Sequence, residues 1–98
     1  MSYRTRVVPA AQRELKALPG HVRAQAQDLI RGLAQEPRPA RSRELQGLPG
    51  VYRVWLAGRW RIVYRIDEEH QLVHILRIRR KEQIDYDSLE PTEPEGPR

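Results

Sequence analysis

The chain has 98 residues, 39% of them hydrophobic, no cysteine, and a formal charge of +5 with a pI near 10.2. That length and apolar content suit one compact two-layer domain, and the missing cysteines exclude a disulfide-stapled scaffold and thiolate metal sites. The basic excess favours an acidic partner such as nucleic acid, while no run approaches the ~20 apolar residues that cross a bilayer.

The N-terminus, MSYRTRVVPAAQ, lacks the apolar core of a signal peptide, so a cytoplasmic protein with no membrane partner is expected. Tyr3 to Val8 alternates and reads as a strand. Pro9 fits the first turn of a helix, where its missing N–H costs nothing. Ala11, Leu15 and Leu18 then form one helical stripe, and Pro19-Gly20 turns the chain. A second helix, from His21 to Gln35, carries Val22, Ala26, Leu29, Ile30 and Leu33 on one face. So short a turn makes the two helices an antiparallel hairpin.

Glu36 to Ser42, with Pro37 and Pro39, reads as an extended linker. Leu45 and Leu48 are expected to tuck under a sheet, and Pro49-Gly50 turns the chain again. Val51–Leu56 and Arg59–Ile66 read as a hairpin around Ala57-Gly58, and Leu72–Arg79 as the last strand after a turn at Asp67–Gln71. The order strand, helix, helix, three strands predicts an α+β fold: a helix hairpin on one face of an antiparallel sheet of about four strands. One domain is expected over residues 1–87. Residues 88–98, acidic and Pro-rich, form a tail expected to be disordered.

Charge is uneven along the chain. Residues 38–81 hold eleven Lys and Arg against four Asp and Glu; residues 82–98 hold one against six. Alternate residues of a strand share a face. Parity sets Tyr52, Val54 and Leu56 apart from Arg53 and Trp55, and Trp60, Ile62, Tyr64 and Ile66 apart from Arg61, Val63 and Arg65. In the last strand it sets Leu72, His74, Leu76 and Ile78 apart from Val73, Ile75, Arg77 and Arg79. With the more apolar sets against the helices, the open face collects Arg53, Trp55, Arg61, Arg65, Arg77 and Arg79. Guanidinium groups bind phosphate in a bidentate way, and Trp55 offers a stacking surface for a base. The three histidines are poor acid–base candidates: His21 opens a helix, His70 lies in a turn and His74 has core-facing parity. No pair has metal-ligand spacing, so neither a metal nor another cofactor is expected.

Leu45, Gly47, Pro49, Tyr52 and Arg53, followed after a short gap by Trp60-Arg61-Ile62-Val63-Tyr64-Arg65-Ile66, resemble the pattern of the RelE/ParE toxins of bacterial type II toxin–antitoxin systems. Ile75 to Lys81 resembles the last strand of that superfamily and its basic exit. The N-terminal strand and helix pair match in order and length, so the resemblance spans about residues 3–87, with the RelE-like branch favoured.

The resemblance implies the RelE-like fold and, for that branch, a metal-independent endoribonuclease that cleaves mRNA on the ribosome and inhibits translation. Its implied partners are a cognate antitoxin, the ribosome and mRNA. Carried over residue by residue, it places Arg61 on the scissile phosphate and Arg53 where the family often has lysine. Lys81 would bind phosphate or protonate the leaving group, and Tyr86 stands near the family's C-terminal tyrosine, one position out of step. Trp55 occupies a position that is basic in well-known members. Trp55, Arg65, Arg77, Arg79 and Arg80 are the expected substrate-binding residues. The alternatives are a ParE-like inhibitor of DNA gyrase and a non-catalytic RNA-binding homologue.

Overall fold

A computed structural model describes residues 2–80. The elements are β1 (Arg4–Val7), α1 (Pro9–Ala17), α2 (Gly20–Gln35), β2 (Arg43–Glu44), β3 (Val51–Leu56), β4 (Trp60–Asp67) and β5 (Leu72–Arg80). Pro9 opens α1 as its residue type demands. Arg23, one turn into α2, donates from Nη2 to the Leu18 carbonyl at 3.1 Å, satisfying an orphan acceptor at the end of α1 and tying the two helices together.

The α+β architecture is as expected, and the sheet adds two features. It has five strands in the order β1-β5-β4-β3-β2. It is also mixed: β3, β4 and β5 form an antiparallel meander, whereas β1 lies parallel to β5. The helix pair carries the chain from β1 across the sheet to β2 at the far edge, and the meander then returns it to β1, so the long connection that parallel strands require includes both. Val8 N–H continues the β1–β5 ladder to the Ile75 carbonyl at 3.1 Å.

The helices bury Val22, Ala26, Ile30 and Leu33 against Val54, Leu56, Ile62, Tyr64, Ile66, Val73, Ile75 and Ile78. The parity expected for β3 and β4 holds. In β5 it does not. Val63 pairs with Arg77 and Tyr64 with Ile75, so Leu76 is an extra residue with no partner, a β-bulge. The bulge switches parity within one strand. Val73 and Ile75 face the helices before it and Ile78 after it, while Leu76 joins Val51 and Val63 in a small second cluster on the other face. Leu45, Leu48 and Val8 cover that cluster. His74, expected on the core face, pairs with Arg65 and Arg6 on the opposite one.

The linker after α2 is clamped rather than loose. Tyr64, with no solvent exposure, donates its hydroxyl hydrogen to the Pro37 carbonyl at 2.7 Å. Its ring stacks on Tyr52 with centroids 5.8 Å apart. The Tyr52 hydroxyl accepts from Arg38 Nε at 2.9 Å, Arg38 forms an ion pair with Glu68, and Glu68 accepts from the Tyr3 hydroxyl at 2.6 Å. The β3–β4 connection is one residue longer than expected, since Leu56 pairs with Trp60. Within it Ala57 (φ 52°) and Gly58 (φ 79°) both take left-handed backbone, a demand Gly58 meets without strain and Ala57 does not.

Candidate functional site: a cationic sheet face

Cross-strand partners share a face, so the register orders the side chains opposite the helices into rows. One row holds Arg79, Arg61 and Trp55; the next holds Arg77, Val63, Arg53 and Arg43. A third holds Arg6, His74, Arg65 and Val51, and a fourth Arg4, Leu72 and Asp67. Eight arginines thus stand over a small apolar floor of Val51, Val63 and Leu76. The register puts one acid, Asp67, among them.

Arg61 and Trp55 are direct cross-strand partners, and the guanidinium carbon lies 4.6 Å from the indole centroid. This cation–π contact holds the guanidinium over the ring while the indole remains 36% exposed. Arg53 sits in the adjacent row between Val63 and Arg43. Two guanidinium groups so placed can grip and neutralise a phosphate, although a guanidinium has no proton-accepting role at ordinary pH.

Arg65 and Arg77 are half-buried on the same face, and Arg77 Nη1 donates to the Leu76 carbonyl at 3.2 Å. Arg79 leans to the edge, where its Nε meets Glu14 Oε2 at 3.2 Å. The other oxygen of Glu14 accepts from Ile78 N–H at 2.8 Å. One carboxylate therefore holds both a side chain and a backbone donor of β5 beyond the end of β1. Arg80 lies on the helix face instead: it pairs with Trp60, and its guanidinium carbon stands 5.8 Å from that ring. The structure does not bring Arg80 to the open face. Lys81 and Tyr86 lie outside the described residues.

Arg4, Arg6 and Arg43 were not among the residues expected here. Their own strands alternate suitably, but only the parallel pairing of β1 with β5 and the two-residue β2 attach them to the face. His74 joins them across the bulge. Burial pushes its imidazole below the ordinary histidine value, with the nearby Arg6 charge acting in the same direction. Asp67 is held below the usual carboxylate range by hydrogen bonds from His70, the closer at 2.9 Å to Nδ1. Among the described residues no group of three or more His, Cys, Asp and Glu is placed to hold a metal ion, and no helix is long and apolar enough to cross a membrane.

The family model described as the ParE toxin of the type II toxin–antitoxin system, parDE, matches residues 6–85. The toxin–antitoxin complex RelBE2 of Mycobacterium tuberculosis contains a chain with a TM-score of 0.72 and 31% identity, covering 83% of this chain and 100% of that one. A free E. coli RelE carrying two arginine-to-alanine substitutions gives a TM-score of 0.78 at 25% identity, covering 91% and 94%. The archaeal RelE–RelB complex of Pyrococcus horikoshii (21% identity, TM-score 0.71, 86% and 100% covered) shares the fold. Comparison with curated protein sequences gave no match. Family match and solved relatives agree with the fold and with the resemblance carried by the β3–β4 residues, and this chain belongs to the ParE toxin family of type II toxin–antitoxin systems, within the RelE/ParE superfamily.

Proposed function

We propose that this toxin is a ribosome-dependent, metal-independent mRNA endonuclease that inhibits translation in the cytoplasm. The observation that carries the reading is the Arg61–Trp55 pair with Arg53 in the next row of a cationic sheet face. In the proposed reaction the ribose 2′-oxygen attacks the adjacent phosphorus and the bond to the 5′-oxygen of the next nucleotide breaks. A 2′,3′-cyclic phosphate forms, the 2′-hydroxyl gives up its proton to water, and the leaving oxygen takes up a proton. Charge accumulates on the non-bridging oxygens, where a preorganised guanidinium stabilises it. Arg61 fills that role, Arg53 binds the same phosphate, and Trp55 stacks on a base. Lys81 and Tyr86 are proposed to assist at the leaving group, and Arg65, Arg77 and Arg79 to hold flanking phosphates.

Neutralisation by a cognate antitoxin follows from the company the chain keeps, since several of its structural relatives were solved as toxin–antitoxin complexes. An acidic antitoxin segment would compete for the same arginines. Toe-printing of translating ribosomes tests the reading: wild type should give new stops and Arg61→Ala few or none. No stops from wild type, or undiminished stops from Arg61→Ala, would overturn the assignment.

A second reading has its own support. Trp55 stands where well-known RelE members carry a basic residue, and the matched family model is described by parDE. Binding and inhibition of DNA gyrase needs no proton-transfer group. Inhibition of gyrase supercoiling with translation intact would replace the first reading by this one.

A further inference from the structure

The third row of the open face has features that the Arg61 row does not use. Arg6 on β1, His74 on β5 and Arg65 on β4 are consecutive cross-strand neighbours. At ~4.8 Å per strand spacing the two arginines flank the imidazole within about 10 Å of each other. Among the described residues neither Arg6 nor Arg65 has an ion-pair partner, and the Arg65 Nε is buried with no hydrogen-bond acceptor. Like charges side by side on a sheet destabilise it, and a buried donor without an acceptor costs more. The nearest acid does not relieve them: both oxygens of Asp67 engage His70, at 3.2 Å to its N–H and 2.9 Å to Nδ1. The apolar floor of Val51, Val63 and Leu76 thins the water beneath.

We infer that Arg6, His74 and Arg65 form a second phosphate subsite whose affinity rises on acidification, taking a backbone phosphate of single-stranded RNA that flanks the phosphate held at Arg61. It rests on the reading of the open face as an RNA surface. Arg61 and Arg65 lie four residues apart on one strand, about 14 Å at ~3.4 Å per residue, too far for a single phosphate to bridge. An acceptor oxygen supplied by the ligand satisfies the Arg65 donor. His74 is the element that titrates. The groups facing it are Arg6 from β1, Arg65 and Asp67 from β4, and His70 from the turn before β5. Arg6, Arg65 and a protonated His70 oppose its charging, Asp67 favours it, and an incoming phosphate reverses the balance.

The test uses the full chain, released from its antitoxin, and a single-stranded RNA whose 2′-hydroxyls are methylated so that nothing can be cleaved. Arg6→Gln with Arg65→Gln should weaken binding roughly 10- to 100-fold and flatten the salt dependence by ~0.7 per lost contact. Wild-type binding should tighten between about pH 8 and about pH 5, and His74→Gln should remove the part of that change that tracks the His74 imidazole resonances. Arg65→Lys, folded as judged by its melting curve, should recover part of the affinity. Unchanged affinity and salt slope in the double variant, or an unchanged pH response in His74→Gln, would overturn the subsite. Inorganic phosphate shifting the His74 resonances where RNA does not would replace the nucleic-acid source with a free anion and overturn the proposal as stated. A protein that binds RNA in this way yet cuts no mRNA on ribosomes would sink the nuclease reading alone.

Discussion

Replacing Tyr64 by Phe isolates one buried hydrogen bond. The ring stays where it is, stacked on Tyr52 and enclosed by the helix-side core. Only the hydroxyl that donates to the Pro37 carbonyl at 2.7 Å is lost. Pro37 is itself buried, so its carbonyl loses its donor in a place where water cannot readily replace it. A buried polar group stranded in this way costs about 1–3 kcal/mol. For a domain of this size each kcal/mol moves Tm by roughly 4–8 °C, so a loss near 2 kcal/mol lowers Tm by roughly 8–16 °C. Tyr52→Phe is the control. Its hydroxyl only accepts from the half-exposed Arg38, and its removal should cost under ~1 kcal/mol. Urea and thermal melts of the three proteins decide the matter. Tyr52→Phe as costly as Tyr64→Phe, or Tyr64→Phe melting with wild type, would refute the clamp. The alkaline limb gives a second reading. Burial raises the Tyr64 phenol above its ordinary value near 10, so the neutral form is favoured in the fold. Its stabilising contribution is complete below the unfolded value of about 10 and is lost as pH rises through the folded one. Tyr64→Phe should remove that part of the alkaline slope.

His74 supplies the acid counterpart: its folded value is depressed, so its contribution is complete above the unfolded value near 6.5 and is lost as pH falls through the folded one. His74→Gln should flatten the acid limb of a stability–pH curve, and an unchanged limb would show that another group titrates there. Glu14→Ala strips Ile78 N–H of its acceptor and Arg79 of its ion pair. It should cost about 1–3 kcal/mol and speed hydrogen exchange at Ile78; unaltered exchange there would be the contrary result. Ala57→Gly relieves a left-handed Ala in the β3–β4 turn and should raise stability by up to about 1 kcal/mol, while a fall in Tm would show that the turn strain is absent. Trp55→Ala removes the ring that Arg61 packs over and should lower ribosome-dependent cleavage more than it lowers Tm. Equal losses in both would mark Trp55 as structural.

Local pattern carried most of the architecture. The helical stripes of Ala11 to Leu18 and Val22 to Leu33, the Pro-Gly turns and the alternation of β3 and β4 each reflect short-range geometry, and the structure shows them nearly as read. What escaped the sequence depends on long-range partners. Alternation in β5 runs on without a visible break, yet Leu76 is unpaired, because a bulge is decided by the register of two strands together. That one residue put His74 on the wrong face; Arg80, expected at the substrate from its place in the basic exit, shares the helix-side parity of Ile78. Arg4 and Arg6 alternate plainly enough, but nothing local shows that β1 lies beside β5. The Arg38–Tyr52 bond likewise joins a linker residue to a strand 14 positions later.

The place of β5 between β1 and β4 has a consequence for how the protein is made. The sheet partner of Arg4, Leu72, leaves the ribosome 68 residues after it. At about 5–20 residues per second that is a wait of roughly 3–14 s. During it β3 and β4 can already close their hairpin, while β1 has no neighbour to pair with. A nascent chain that has not reached residue 72 can hold both helices and four of the strands and still lack the one that joins the two parts of the sheet. Arg4 and Arg6 therefore take their places on the cationic face only when synthesis of the described region is almost finished. The arginines of the first strand are made before the other cations of this face and are among the last to be assembled on it.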